Sequence, residues 1–159
     1  MASEPQTLPA TPASIAELRA LRGTALGPSG WHEVTQEVVD RFAQATGDHQ
    51  WIHVDVERAS ASELGGTIAH GLLTLSLGPV MTAELLSYER FGRALNYGYD
   101  RVRFPAPVPV GARLRMRLEI AEVTELTGSG QVTMAQTFER EGGEKPVCVA
   151  TAISRFVAG

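Results

Sequence analysis

The chain has 159 residues, of which 43% are hydrophobic and 20% charged, and its formal net charge is -4. This length and composition suit one globular domain with a proper core. The net acidity argues against nucleic acid or an anionic membrane surface as the main partner, because both attract clustered lysine and arginine.

The first segment of the chain shows no pattern of regular structure. Residues 1–13 are rich in proline, threonine, alanine and serine, and they lack the basic head and apolar stretch of a signal peptide. We therefore expect a flexible N-terminal tail, followed by one domain over residues 14–159. Ser14 and Glu17 form an S-x-x-E capping box, which predicts a short helix that ends at Gly23.

Two further helices are indicated in the first half of the chain. Thr35 should cap a helix over residues 36–46, whose apolar residues recur at helical spacing, and Gly47 is suited to end it in the left-handed conformation. Farther along, residues 70–89 are apolar almost all round, which predicts one long helix that is buried on most sides and bent at Pro79. Its apolar run is too short to cross a membrane, so we expect no membrane segment.

The second half of the chain changes its hydrophobic period from helical to alternating. Four strands are expected, over residues 94–104, 112–123, 131–141 and 145–157, with glycine turns between the last three. The only cysteine, Cys148, lies in the last predicted strand, so a disulfide within the chain is excluded. We expect Cys148 to be a small buried apolar residue. The absence of a disulfide suggests a reducing compartment such as the cytoplasm. The expected fold class is α+β, with a curved antiparallel sheet wrapped around the long buried helix.

The nine residues GDHQWIHVD, at positions 47–55, combine a carboxylate at Asp48 with an imidazole at His53 just where a helix should end. A histidine ring is mostly neutral near pH 7 and can accept a proton from water, and a carboxylate beside it can orient that water or return a proton. Spacing alone favours a structural alternative. In that alternative Asp48 forms an Asx turn and His53 is a partly buried, hydrogen-bonded imidazole.

Three motifs, TGDHQWIHVD, GGTIAHGLLTLSL and VRFPAPVPVG, together resemble the MaoC-like hydratases, a hot-dog-fold family that includes the (R)-specific enoyl-CoA hydratases. The first motif is similar to the subgroup related to the nodulation protein NodN. The resemblance covers roughly residues 14–157 and implies a single hot-dog domain in which Asp48 and His53 act together on a water molecule. The family commonly has Asn-Pro where this chain has Gln50 and Trp51, so the substrate preference stays open and these two residues are candidates to line the pocket.

The resemblance also assigns roles to residues of the long helix. It implies that the backbone N–H of Gly71 stabilises the oxyanion, which suits the first turn of a helix, where N–H groups lack intrahelical partners. Ser76 is a candidate to support the catalytic carboxylate. His70 is expected only to pack or to cap the helix, and no role falls to His32 and His49. We expect no metal site, because the histidines lie apart in the sequence without metal-binding spacing.

Two residues of the first predicted strand, Asn96 and Arg103, are weaker candidates for substrate binding. Arg101 and Arg103 should share one face of that strand, from which they could contact the phosphates of coenzyme A or of an acyl-carrier arm. Solvated charges on a wet strand face are the favoured explanation.

The leading hypothesis is a hydro-lyase of fatty acid metabolism that converts trans-2-enoyl thioesters to (R)-3-hydroxyacyl thioesters, or catalyses the reverse reaction. Its substrate would be an acyl group on coenzyme A or acyl-carrier protein, and no cofactor is implied. We expect a homodimer, because a single hot-dog unit leaves a sheet edge open and the family forms dimers. The alternatives are an acyl-CoA thioesterase on the same fold and the non-catalytic subunit of a heterodimeric dehydratase; the presence of both Asp48 and His53 counts against the latter.

Overall fold

Helices occupy the first half of the chain and long strands the second half, as the change of hydrophobic period predicts. The computed structural model describes residues 8–157. Within them the elements, in chain order, are α1 (Ile15–Ala20), β1 (Ala25–Leu26), β2 (His32–Glu33), α2 (Gln36–Thr46), α3 (Trp51–Val54), α4 (Val56–Ser60), α5 (Gly71–Ser76), α6 (Gly78–Ala83), β3 (Arg93–Arg103), β4 (Arg113–Leu126), β5 (Ser129–Arg140) and β6 (Cys148–Val157).

The strands form one antiparallel sheet of hot-dog type, which confirms the predicted α+β class. The sheet order is β1-β4-β5-β6-β3, and the short strand β2 also pairs with β4. Register shifts in β4, between Ile120 and Glu122, and at two places in β3 bend the sheet. Because β3 ends the order, it pairs only with β6 among the described strands.

Alternating side chains of β4 and β5 form one wall of the core. Successive residues of a strand point to opposite faces, so every second one is buried. The buried residues include Leu114, Met116, Leu118, Ile120, Val132, Met134, Gln136 and Phe138. This confirms the predicted alternation. Cys148 is also fully buried, and its burial raises the pKa of its thiol to about 11.

The predicted single long helix is wrong, because the chain forms two short helices, α5 and α6, that meet at Leu77. Pro79 lies at the start of α6 rather than inside a helix. A proline has no N–H to donate and its ring clashes with the preceding turn, so it begins a new helix more readily than it bends an old one. The two helices still bury one side against the sheet, with Leu73 and Met81 in the core.

The predicted helix caps are confirmed. Ser14 Oγ accepts from the Glu17 N–H at 3.2 Å, and Thr35 Oγ1 accepts from the Val38 N–H at 3.3 Å. Gly47 ends α2 with a left-handed φ of 79°. These short-range signals set the helix limits because each cap bond spans only three residues.

The predicted N-terminal tail is only partly described. Residues 1–7 lie outside the described residues. Within residues 8–13, Ala10 pairs in parallel with Leu86: its N–H donates to the Leu85 carbonyl at 2.9 Å, and its carbonyl accepts from the Ser87 N–H at 2.8 Å. This part of the predicted tail is therefore held against the end of the helical pair.

Large apolar side chains remain exposed on the helical pair and on β3. Leu72 and Val80 lie on the outer faces of α5 and α6, and Leu95 and Tyr97 lie on β3. The helices are thus covered on fewer sides than their composition predicts. None of the helices in residues 8–157 is long and apolar enough to cross a membrane.

Candidate active site

The segment after α2 forms a short helix, where the sequence pattern predicts an irregular loop. The left-handed Gly47 turns the chain out of α2, and residues 51–54 then complete one helical turn, with the His53 N–H donating to the Gln50 carbonyl at 2.9 Å. This turn directs the His53 side chain inward, where it is buried, while Asp48 stays exposed before the turn.

The structure brings Asp48 and His53 together, as their spacing allowed, and adds His70 to the group. One carboxylate oxygen of Asp48, one ring nitrogen of His53 and one ring nitrogen of His70 all lie within 4.8 Å of one another. At such distances one water molecule can bridge two of these groups and carry a proton between them.

Hydrogen bonds set the tautomer and the position of the His53 ring. His53 Nδ1 lies 2.7 Å from the carbonyl oxygen of Ile68. A carbonyl oxygen only accepts, so Nδ1 carries the hydrogen and Nε2 of the neutral ring keeps a free lone pair. The backbone carbonyl of His53 accepts from Gln36 Nε2 at 2.8 Å, which holds the residue from its other side. His53 Nε2 is therefore available as a base.

His70 is the residue that sequence reasoning assigned only to packing or capping. Its ring stacks on that of His53, with centroids 3.8 Å apart and planes at 28°, and its Nε2 lies 3.0 Å from the backbone carbonyl of Asp48. His70 is almost fully buried and makes no side-chain cap bond to α5. Sequence reasoning missed the contact between His70 and His53, and the His-Gly at the predicted helix start is the signal that could have pointed to it.

Asp48, His53 and His70 also form a set whose donor atoms could hold a metal ion. One of these atoms would have to be His70 Nδ1, because its Nε2 is engaged with a carbonyl oxygen. The expectation of a metal-free site stays a prediction.

A cleft of about 360 Å³ opens beside His53. Its walls are mainly apolar, and they include Ile68, Gly71, Thr74, Phe104, Val108 and Val147. A mostly apolar cleft with a few polar groups is the usual form of a small-molecule site.

Gly71 begins α5 at the wall of this cleft. As the first residue of the helix, its N–H has no acceptor within the helix. The ring of Phe104 lies directly over it: a Cβ at this position would be only 2.9 Å from Phe104 Cδ2 and 3.0 Å from two further ring atoms. Glycine therefore leaves room for the ring, and Gly71 lines the same cleft as His53.

Two of the weaker candidates do not contact Asp48 or His53 through their side chains. The Ser76 hydroxyl donates to the Leu72 carbonyl at 2.7 Å, within its own helix, so its proposed support of Asp48 is not seen. The Trp51 ring packs under the Arg58 guanidinium, at 4.3 Å from its centroid, and it does not line the cleft beside His53.

The remaining candidates lie around the pair or at a distance from it. The Gln50 N–H donates to Asp48 Oδ1 at 3.4 Å, so this residue touches the site through its backbone. Asn96 lines a second cleft, of about 340 Å³, beside α6. Arg103 is exposed and donates to the Val102 carbonyl. His49 is exposed, and His32 pairs with Glu84; the absence of a catalytic role for these two histidines stays a prediction.

The sheet, the helical pair and the cleft define a hot-dog protein in which a carboxylate, an imidazole and a helix start share one site. The chain matches the family model described as "MaoC like domain" over residues 18–141. It therefore belongs to the MaoC-like dehydratase family, which confirms the resemblance seen in the three motifs.

Similar proteins span nearly the whole chain. It is 50% identical over 146 residues to 3-hydroxyacyl-thioester dehydratase Z of Mycobacterium tuberculosis, covering 91% of this chain and 97% of that one. It is 43% identical over 144 residues to nodulation protein N of Rhizobium leguminosarum, covering 89% of each. An unliganded (R)-hydratase of Pseudomonas aeruginosa superposes with a TM-score of 0.73 and 26% identity, covering 91% of this chain and 86% of that one.

Proposed function

We propose that this chain adds water to the double bond of trans-2-enoyl thioesters and catalyses the reverse dehydration of 3-hydroxyacyl thioesters. One observation carries the proposal: Asp48 lies beside His53, and His53 lines an apolar cleft that also contains the start of α5. The name of the dehydratase that shares half of its residues with this chain supports the same reaction.

In the proposed mechanism, His53 acts as the base. Its Nε2 accepts a proton from water while the water oxygen forms a bond to Cβ of the enoyl thioester. The electron pair of the double bond moves toward the thioester carbonyl, and the N–H of Gly71 donates to the oxygen that becomes negative. Asp48 orients the water, and a proton returned from the pair to Cα completes the addition.

We propose (R) stereochemistry at Cβ and coenzyme A or acyl-carrier protein as the carrier. These two points rest on the family and on the (R)-hydratase with the same fold. The exposed Arg103, beside the cleft residue Phe104, is where a phosphate of either carrier would lie. We further propose that the enzyme works in the cytoplasm without a metal or other cofactor. Dialysis against a chelator should leave the activity unchanged. A loss of activity that one added metal restores would contradict the absence of a metal.

The catalytic pair can be tested with crotonyl-CoA, by following the loss of the enoyl-thioester absorbance. Asp48→Asn and His53→Ala should each lower kcat by about 10² to 10⁴, the usual effect of removing one acid–base group. His49→Ala is the matched control, because His49 is exposed and makes no contact with the cleft. Full activity in either catalytic variant would remove the assignment.

The pH dependence gives an independent check on His53. If the neutral ring is the base, acidification should lower kcat/KM, because a protonated imidazole cannot accept another proton. A kcat/KM that does not fall in acid would contradict the role.

The two alternative functions give different products. Release of free thiol from acyl-CoA without a 3-hydroxyacyl product would identify a thioesterase. No turnover by the pure protein, restored by a second related chain, would identify the silent subunit of a heterodimer.

We also propose a homodimer, formed along the β3 side of the sheet. In the described part of the chain, β3 is a long strand with one open edge, and exposed apolar residues flank it on β3 and on the helical pair. Such an edge is normally covered in a stable protein. Light scattering should give twice the mass of one chain. Leu95→Glu should weaken the dimer, whereas Leu126→Glu, at the far end of β4, should not; a monomeric wild type would overturn the proposal.

A further inference from the structure

We infer that His70 is a positioning residue for the proposed reaction, and that it holds both Asp48 and His53 in place. It does so through a hydrogen bond to the backbone of Asp48 and a stacking contact with the ring of His53. The inference rests on the proposed function, because it assigns a role within the same site.

The first contact anchors the catalytic carboxylate. Asp48 is exposed and lies between two helices, and its other hydrogen bonds are long: its N–H lies 3.4 Å from Thr46 Oγ1, and its Oδ1 lies 3.4 Å from the Gln50 nitrogen. The bond from His70 Nε2 to the Asp48 carbonyl, at 3.0 Å, is the shortest that Asp48 makes among the described residues. A backbone fixed at this point limits where the carboxylate can reach.

The second contact anchors the base. The His53 ring is held at one edge by the Ile68 carbonyl and against one face by the His70 ring. These two contacts leave His53 little freedom to rotate, so Nε2 keeps one direction. The Phe42 ring of α2 also packs against His70, with ring centroids 5.0 Å apart, and this contact limits the movement of the His70 ring.

Within the described part of the chain, no other hydrogen bond of the His70 ring competes with its bond to Asp48. The Asp48 carbonyl accepts from Nε2–H, and the second ring nitrogen, Nδ1, is buried and has no hydrogen-bond partner among residues 8–157. The position of the ring is therefore set by the Asp48 carbonyl and by its contacts with neighbouring rings.

The position of His70 in the chain extends this role to the third part of the site. It immediately precedes Gly71, whose N–H is the proposed oxyanion donor, and its extended backbone leads into α5. His70 therefore contacts both Asp48 and His53 and directly precedes Gly71 at the start of α5. Positioning of this kind matters because a shift of about 1 Å in a reacting group can lower a rate about 10²-fold.

Two variants separate the contacts of His70. His70→Phe keeps a flat ring against His53 but loses the donor to Asp48, and His70→Gln keeps an N–H donor but loses the ring. Each variant should lower kcat about 10- to 100-fold with little change in KM. The matched control is His32→Gln, which alters a histidine paired with Glu84 outside the site and should leave kcat unchanged.

The decisive measurement is the combination with His53→Ala. If His70 acts through His53, the double variant His70→Gln/His53→Ala should be no slower than His53→Ala alone. A merely structural role would instead multiply the two losses and lower the melting temperature in parallel. Multiplied losses, or full kcat in both single variants, would overturn the inference.

A spectroscopic readout keeps this test separate from the proposed function. The imidazole signals of His53, assigned by their disappearance in His53→Ala, should be displaced by the ring current of the stacked His70. They should move toward free histidine in His70→Gln and stay displaced in His70→Phe. If the His53 signals do not move in His70→Gln, the contact between the two rings is contradicted. If the signals move as expected but the wild-type protein does not turn over crotonyl-CoA, only the hydratase function is contradicted.

Discussion

Adding one methyl group to the start of α5 should test whether the thioester must approach the backbone there. In Gly71→Ala, the new Cβ would lie 2.9 to 3.0 Å from three atoms of the Phe104 ring, whereas carbon atoms pack best at about 3.5 to 4.0 Å. The ring must therefore retreat by roughly 0.5 to 1 Å. Phe104 is 42% exposed, so it can move without breaking the core.

The cost should appear in activity more than in stability. Because the displaced ring and the added methyl group both lie at the cleft, they should keep the thioester oxygen from the Gly71 N–H, and loss of one oxyanion donor lowers kcat about 10²- to 10³-fold. The melting temperature should change little, since overpacking costs most where side chains are enclosed on all sides.

The assay is the loss of enoyl absorbance together with a thermal melt, with Gly66→Ala as control. A Cβ on Gly66 would meet no heavy atom within 4 Å, so this variant should keep wild-type rates. In the double variant Gly71→Ala/Phe104→Leu, recovered activity would assign the loss to the displaced ring, and no recovery would assign it to the methyl group itself. Wild-type kcat/KM in Gly71→Ala would refute the oxyanion argument.

Three further predictions concern stability and reactivity. Gly130→Ala should lower the free energy of unfolding by about 1 to 3 kcal/mol, because its Cβ would overlap the side chain of Ile15. The control Gly98→Ala should cost less, since a Cβ at Gly98 would meet no heavy atom within 4 Å. Equal denaturant midpoints for the two variants would contradict this prediction. The Cys148 thiol, with its pKa raised by burial, should resist thiol reagents at about pH 8 until the protein unfolds, and rapid native labelling would show that it is accessible. Burial alone would raise the pKa of the Glu139 carboxyl, but hydrogen bonds and charges from two arginines outweigh this and lower it. The ionised Glu139 carboxylate therefore stabilises the folded protein at neutral pH, and this stabilisation is lost as the pH falls through the lowered pKa. Glu139→Gln should reduce the melting temperature at pH 7 and have no effect at about pH 2. Equal reductions at both pH values would refute the pairing of Glu139 with the arginines.

Sequence reasoning succeeded where the cause is local. The caps at Ser14 and Thr35 and the left-handed Gly47 depend on residues within one turn. The buried face of β4 follows from strand alternation. Asp48 and His53 were predicted as a pair, and one short helical turn between them is enough to bring their side chains together.

Prediction failed at three places where a contact or a helix start close by in the chain replaced the expected arrangement. Ser76 was expected to support Asp48, but its hydroxyl is satisfied within α5. Trp51 was expected at the pocket, but the ring turns to Arg58. The long helix was expected to bend at Pro79, but packing and the missing N–H let the chain start a second helix instead.

By itself, the sequence determined the α+β class, the strand faces and the helix caps, because all of these depend on spacing and on neighbours within a few positions. Only the tertiary structure decided the contacts of His70, the tautomer of His53 and the ring above Gly71. His70 meets Asp48 across 22 positions of the chain, and the Ile68 carbonyl meets His53 across 15. Such contacts form when the folded helices and sheet pack together, and no period or propensity in the sequence encodes them.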